Sequence, residues 1–262
     1  LKIKDLIKKN KPNEVYFLAA FHNSSQTKIK NSLIEIKKSN DINFISPNFF
    51  LFAISKFNPG CKFFFASSCL VFKSSRKIQD EKTLIEPSEI YGVSKAATMH
   101  ACNYYREYKN IFVNVGILYN HESIYRKNDF LSKKIVINAV KNYHGSKKKL
   151  YIGNLNSRVD WGSAYDYVDA MMLIQKLNKS SNFVIATGET HKVKDFLKIA
   201  YKYLNLDYKQ FVVEDKKILS RNIPYRCGNP NKLKRITGWK PKINFENMIK
   251  EMVDHHLKIN AK

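Results

Sequence analysis

Apolar residues recur at helical spacing at Leu1, Ile3, Leu6 and Ile7, which predicts a short opening helix stopped by Lys11-Pro12. Glu14–Ala20 (EVYFLAA) is then too continuously apolar for a half-exposed strand and predicts a buried one. A helix is expected over Ile42–Ile54, broken near Pro47, followed by a turn at Pro59-Gly60. Cys61–Phe72 (CKFFFASSCLVF) and Ile111–Leu118 (IFVNVGIL) predict two more buried strands, and between them Tyr91–Tyr108 has helical periodicity. Buried strands separated by helices point to an α/β fold, a parallel sheet covered on both faces. After about Ser146 the pattern turns to shorter strands such as Phe183–Ala186, mixed with helices at Lys192–Leu204 and Phe245–Leu257. That change predicts a first domain over 1–145 and a smaller, interleaved lobe over 146–262.

Composition adds little against this picture. Hydrophobic residues make up 44% of the 262, enough for a real core. No apolar run is long enough to span a bilayer and no secretion signal is visible, so a soluble cytoplasmic protein with no membrane partner is expected. The four cysteines form no CxxC pair, which argues against zinc and against a disulfide framework. The formal charge of +24 invites a nucleic-acid reading, but only seven of the 46 basic residues are arginine and the lysines are scattered over every segment. Lysine is a poor bidentate reader of bases and phosphates, so no nucleic-acid partner is expected.

The chemistry concentrates at Tyr91 and Lys95, one helical turn apart in Tyr-Gly-Val-Ser-Lys, so phenol and ammonium project from one face. A nearby ammonium favours phenolate and would bring the tyrosine toward working pH as a base for a sugar hydroxyl. Ser67 and Ser68 end a predicted strand upstream, where a hydroxyl could hold the same oxygen. Taken alone the pair could equally be an ordinary solvated Tyr–Lys contact.

A strand ending in serine followed by a helix with YxxxK resembles the active site of short-chain dehydrogenase/reductase enzymes. Further strings narrow the resemblance: Asn120-His121-Glu122-Ser123, Gly153-Asn154-Leu155, Asp160-Trp161-Gly162, Asp166–Met171, Phe183–Glu189 and Trp239-Lys240-Pro241. Together they look like the GDP-mannose 4,6-dehydratase branch of the extended members, from Pro12 onward. The resemblance implies a Rossmann-type doubly wound sheet, NADP as cofactor, a GDP-sugar as substrate, and a homodimer or tetramer. It implies Ser68, Tyr91 and Lys95 as catalytic residues. Leu18, Ala19, Ala20, Phe21, His22, Lys95, His121 and Arg126 would line or bind the cofactor, and Asn120, Gly153, Trp161 and Arg221 the substrate. Phe21 fits a buried strand end better, His121 could be an ordinary loop histidine, and Trp161 could equally be core.

Two departures stand out. The family opens with a glycine-rich strand–turn–helix that holds the pyrophosphate on backbone amides. These 262 residues contain none, and their nine glycines are dispersed. The expectation is therefore a sheet lacking its first strands, with roughly the first quarter of the enzyme absent. The second departure is Leu70, which stands where the family has a catalytic glutamate. Glu81, Glu86 and Glu89 lie nearby in sequence, although loop carboxylates are usually solvated. The Ser-Ser-Cys string also resembles the GDP-fucose synthase branch, in which Cys69 would move the proton; a small buried thiol is the plainer reading. A catalytically impaired sugar-nucleotide-binding homologue is the other alternative.

Overall fold

The structure is a computed structural model that describes residues 2–22, 33–73, 75, 77–219 and 225–260. Helix α1 (Lys2–Asn10) leads into strand β1 (Glu14–Phe17), shorter than the predicted Glu14–Ala20 because the chain leaves the sheet at Leu18. Helices α2 (Leu33–Asn40) and α3 (Ser46–Phe57) precede β2 (Lys62–Ser68), after which α4 (Ile90–Lys109) leads to β3 (Val113–Leu118). The strand predicted over Cys61–Phe72 thus stops at Ser68 and becomes one 3-10 turn at Cys69–Val71.

The expected helix break near Pro47 is absent. Residues Asp41–Ile45 form a π-type turn joining α2 to α3, with helical dihedrals on both sides. Proline has no N–H to offer the carbonyl four residues back. That carbonyl, Asn43 O, instead accepts the Thr98 hydroxyl at 2.7 Å. The widened turn absorbs the proline without ending the helix.

Beyond β3 come β4 (Asn120–Glu122), α5 (Leu131–Tyr143), β5 (Leu150–Ile152), β6 (Arg158–Val159), β7 (Trp161–Ser163), α6 (Ala164–Gln175) and β8 (Asn182–Ile185). Strand β9 (His191–Lys192), α7 (Val193–Lys202), β10 (Val212–Glu214), α8 (Asn231–Thr237) and α9 (Phe245–Asn260) follow. The main sheet has the order β1-β2-β3-β8, all parallel. The Phe183–Ala186 segment therefore belongs to the main sheet rather than to the lobe: the chain leaves after β3, builds the lobe, and returns through α6 to β8.

Alternation along β2 explains why both faces are covered. Phe63 and Phe65 pack with Phe17, Leu51, Ile54 and Met99 on the side of α1, α3 and α4. Phe64 points the other way, onto Tyr167, Ala170 and Ile174 of α6. The strand is apolar throughout because neither face meets water. Gly116 on β3 completes the fit, since a Cβ there would come within 2.6 Å of the Phe64 ring. A third cluster, built on α5, α7 and α9 with Trp161, Phe196 and Tyr201, forms the core of the lobe.

Candidate active site

A cavity of about 520 Å³ opens at the C-terminal ends of β1, β2 and β3. Parallel sheets bind ligands at that edge, because the loops there diverge and leave a crevice. Strand β2 delivers Ser67 and Ser68 to it, and the first two turns of α4 deliver Tyr91 and Lys95 beside them. The two pieces meet closely: a Cβ on Gly92 would sit 2.4 Å from the Leu70 carbonyl oxygen. Glycine at 92 is what lets the helix start against that turn.

Ser68 hydrogen-bonds the Tyr91 phenol, and its Oγ also accepts the Leu70 N–H at 3.2 Å. Lys95 is 1% exposed and donates to the Ala66 carbonyl at 2.8 Å, with Nζ 4.7 Å from the centre of the Phe65 ring. Burial pulls its ammonium down from 10.5 to about 7. The expected lowering of Tyr91 by Lys95 is not realised in this arrangement. Burial raises the phenol well above its ordinary value, and the groups that favour its phenolate are Ser68 and Arg126.

Lys95 carries a pH prediction. Its folded value lies below its unfolded one, so the unfolded chain holds more protons at this group between about pH 7 and pH 10.5. The group's contribution to stability is then complete above that window and lost as pH falls toward 7. Denaturant unfolding across this range should show a smaller rise of stability with pH in Lys95→Met than in the parent chain. Parallel curves for the two proteins would contradict the burial of Lys95.

His121 lines the cavity from β4, with Nδ1 donating to Tyr119 O at 2.9 Å and its ring 5.0 Å from that of Tyr167. Burial lowers it to about 4, so it enters any binding as a neutral imidazole. Beside it, Arg126 stacks over Phe130 at 3.8 Å and pairs with Glu122 at 3.1 Å. Glu122 is 2% exposed and also accepts the Ser132 hydroxyl at 2.7 Å and a hydrogen bond from Trp161. One buried carboxylate thus fixes the cation, the loop and the indole together. Glu122 stands in the Asn120–Ser123 string, where nothing local in the sequence marks it for this role.

Among the other expected residues, Leu18, Ala20, His22, Asn120 and Trp161 line the cavity. His22 lies with its ring 4.3 Å from that of Tyr91. Ala19 and Phe21 do not line it. Phe21 is held by its backbone, N–H and C=O both bonded to the Asn43 amide at 2.9 and 3.0 Å. Asn43, in the π-type turn, positions the strand end leading to His22 and carries no sequence signal beyond Pro47. Trp161 is mostly core, stacked on Phe245 at 5.7 Å. Gly153 is not part of the cavity wall: it packs beneath the Leu219 side chain, 2.2 Å from where its Cβ would be. Arg221 lies outside the described residues. The arginine the structure does bring to the cleft is Arg226, 8% exposed, whose Nη1 donates to Cys69 O and Phe72 O, both at 3.0 Å.

Cys69 and Leu70 both line the cavity. Burial raises the Cys69 thiol to about 11, against the opposing pull of Arg226. Among the described residues, no three metal-ligating side chains cluster, and no helix is long and apolar enough to cross a membrane.

A parallel sheet with Ser68, Tyr91 and Lys95 at its carboxyl edge defines an extended short-chain dehydrogenase/reductase fold. The structure of RMD from Pseudomonas aeruginosa complexed with NADPH matches it with a TM-score of 0.84 at 18% identity, covering 98% of this chain and 86% of that one. The family described as GDP-mannose 4,6 dehydratase matches residues 1–252, and the chain belongs to it. GDP-mannose 4,6 dehydratase 1 of Arabidopsis thaliana is 37% identical over 199 residues, 76% of this chain and 55% of the relative. The human GDP-mannose 4,6 dehydratase is 31% identical over 275 residues, 95% of this chain and 71% of the relative. The chain spans about half the length of the two Arabidopsis relatives, 55% and 53%.

Proposed function

We propose that this chain carries the catalytic half of a GDP-mannose 4,6-dehydratase, working on NADP and a GDP-hexose. The observation that carries the reading is the meeting of Ser68, Tyr91 and Lys95 on one cavity wall in a chain of this family. The residues present fit the nicotinamide-ribose end of the dinucleotide. Lys95 commits one N–H to Ala66 O, and a ribose diol is a suitable acceptor for the others. Leu18 and Ala20 supply an apolar wall at the strand ends, and Arg126 a fixed cation. The bound dinucleotide supplies a hydride acceptor and donor.

The protein's own part is proton handling and positioning. Tyr91 Oη takes the C4 hydroxyl proton of the hexose, and Ser68 Oγ holds the same oxygen. A carbonyl at C4 makes the C5 hydrogen acidic and puts the C6 hydroxyl in the position from which it can leave. That elimination needs a further acid/base group, and the Leu70 side chain cannot be one.

The GDP-fucose synthase reading rests on Cys69, which lines the cleft next to Ser68. The match of residues 1–252 to the GDP-mannose 4,6 dehydratase family favours the dehydratase reading over it. Isothermal titration with GDP-mannose and with UDP-glucose tests the substrate class. Tighter binding of the guanosine nucleotide is expected; equal or tighter binding of UDP-glucose would overturn the assignment.

A further inference from the structure

We propose that Arg226 is a positioning residue for the C4 oxidation, fixing the Ser68 hydroxyl through the turn that carries Leu70. The inference rests on the dehydratase reading above. Arg226 reaches this turn from 157 residues away in sequence, counted to Cys69.

Strand β2 ends at Ser68, and the next three residues form the 3-10 turn Cys69–Val71. A single turn of this kind is weakly held by its own hydrogen bond. Here that bond, from Phe72 N–H to Cys69 O, is 3.3 Å long. Arg226 Nη1 reinforces it by donating to Cys69 O and Phe72 O, both at 3.0 Å. One charged donor thus ties the two ends of the turn together, and such bonds are stronger than neutral ones.

Leu70 stands between these two anchors. Its carbonyl lies against the start of α4, 2.4 Å from where a Gly92 Cβ would be. Its N–H donates to Ser68 Oγ at 3.2 Å. With one lone pair of Ser68 taken by that amide, the hydroxyl proton is left for the Tyr91 phenol, the bond that favours its phenolate. Order therefore passes from Arg226 to the turn, from Leu70 N–H to Ser68 Oγ, and from there to Tyr91.

The arginine is itself delivered from a fixed segment. Cys227 O accepts the Gln79 N–H at 2.8 Å, Gly228 N–H donates to Asp160 at 3.1 Å, and Asn229 N–H donates to Gln79 O at 2.7 Å. None of these bonds uses the guanidinium. Trimming the side chain thus releases the turn while the segment that carries it stays in place. At 8% exposure, the guanidinium also meets little water that could compete for it.

Two readouts test the proposal. The first is hydrogen exchange of the Leu70 amide, followed by NMR in the chain alone. Arg226→Met should speed it about tenfold, as expected for a lost hydrogen bond, while the Val115 amide in the sheet keeps its parental rate. Arg226→Lys, which keeps a charged donor, should recover part of the protection. The second is the first-turnover reduction of NADP by GDP-mannose. Arg226→Met should slow it by about 10²-fold with little change in GDP-mannose affinity, the scale of a misplaced catalytic group. Added to Ser68→Ala, the same substitution should cost less than about twofold more, because the group it positions is already gone. A Leu70 amide as protected in Arg226→Met as in the parent would overturn the proposal, and so would full additivity with Ser68→Ala. If the parent chain binds both compounds and reduces no NADP, the dehydratase reading fails. Exchange at Leu70 then still decides whether Arg226 holds the turn.

Discussion

Replacing Tyr91 by phenylalanine should lower turnover of GDP-mannose by about 10²–10⁴-fold, the contribution expected of one positioned proton-transfer group. The substitution removes a single oxygen that faces the cavity and is hydrogen-bonded to Ser68. The ring remains, still 4.3 Å from His22 and on the same helical turn, so the shape of the site is kept. Sugar-nucleotide affinity should change little, and the loss should fall on kcat. Steady-state rates with calorimetric binding constants for the same protein separate the two. A variant with near-parental kcat would show that another group takes the C4 proton.

The largest effect on stability is expected at Asp160. This side chain is 1% exposed and accepts from Thr187 N at 3.0 Å, Thr187 Oγ1 at 2.6 Å, Gly188 N at 3.2 Å and Gly228 N at 3.1 Å. It ties the loop after β8 to the segment carrying Arg226, and so joins the main sheet to the floor of the cleft. Burial raises its pKa, and the four donors oppose that rise. Asp160→Ala would leave these donors buried without their acceptor, at about 1–3 kcal/mol each before relaxation. Removing a buried charge offsets part of the sum, so a net loss of about 3–5 kcal/mol is expected. Urea unfolding of Asp160→Ala against the parent chain measures it. A loss below about 1 kcal/mol would mean that water enters and satisfies the loop.

What the sequence made legible follows from locality. Phe63–Phe65 announce a strand buried on both faces, because three successive large apolar side chains leave no face for water. Tyr91 and Lys95 announce themselves because one helical turn brings them together wherever the helix lies. The less legible features depend on contacts between distant parts of the chain. Phe183–Ala186 looks like a lobe strand until β3 pairs with it, Gly116 facing Phe183, 67 residues on. The Pro47 break failed because Thr98, 55 residues from Asn43, takes the carbonyl that the proline leaves unbonded. Gly153, named as a substrate contact by the resemblance, packs under the Leu219 side chain, a contact 66 residues away in sequence that no local pattern shows. Arg226 went unseen because charge alone cannot show which of many basic residues will be buried at the floor of a cleft.

The central proposal is oxidation at C4 of a GDP-hexose in this cleft, with return of the same hydrogen to C6. The most direct measurement supplies NADP and GDP-mannose labelled with deuterium at C4 and locates the label in the product by NMR. The account predicts a 4-keto-6-deoxy sugar with the deuterium on C6. Label retained at C4, or a 4-keto product whose C6 keeps its hydroxyl, would contradict it.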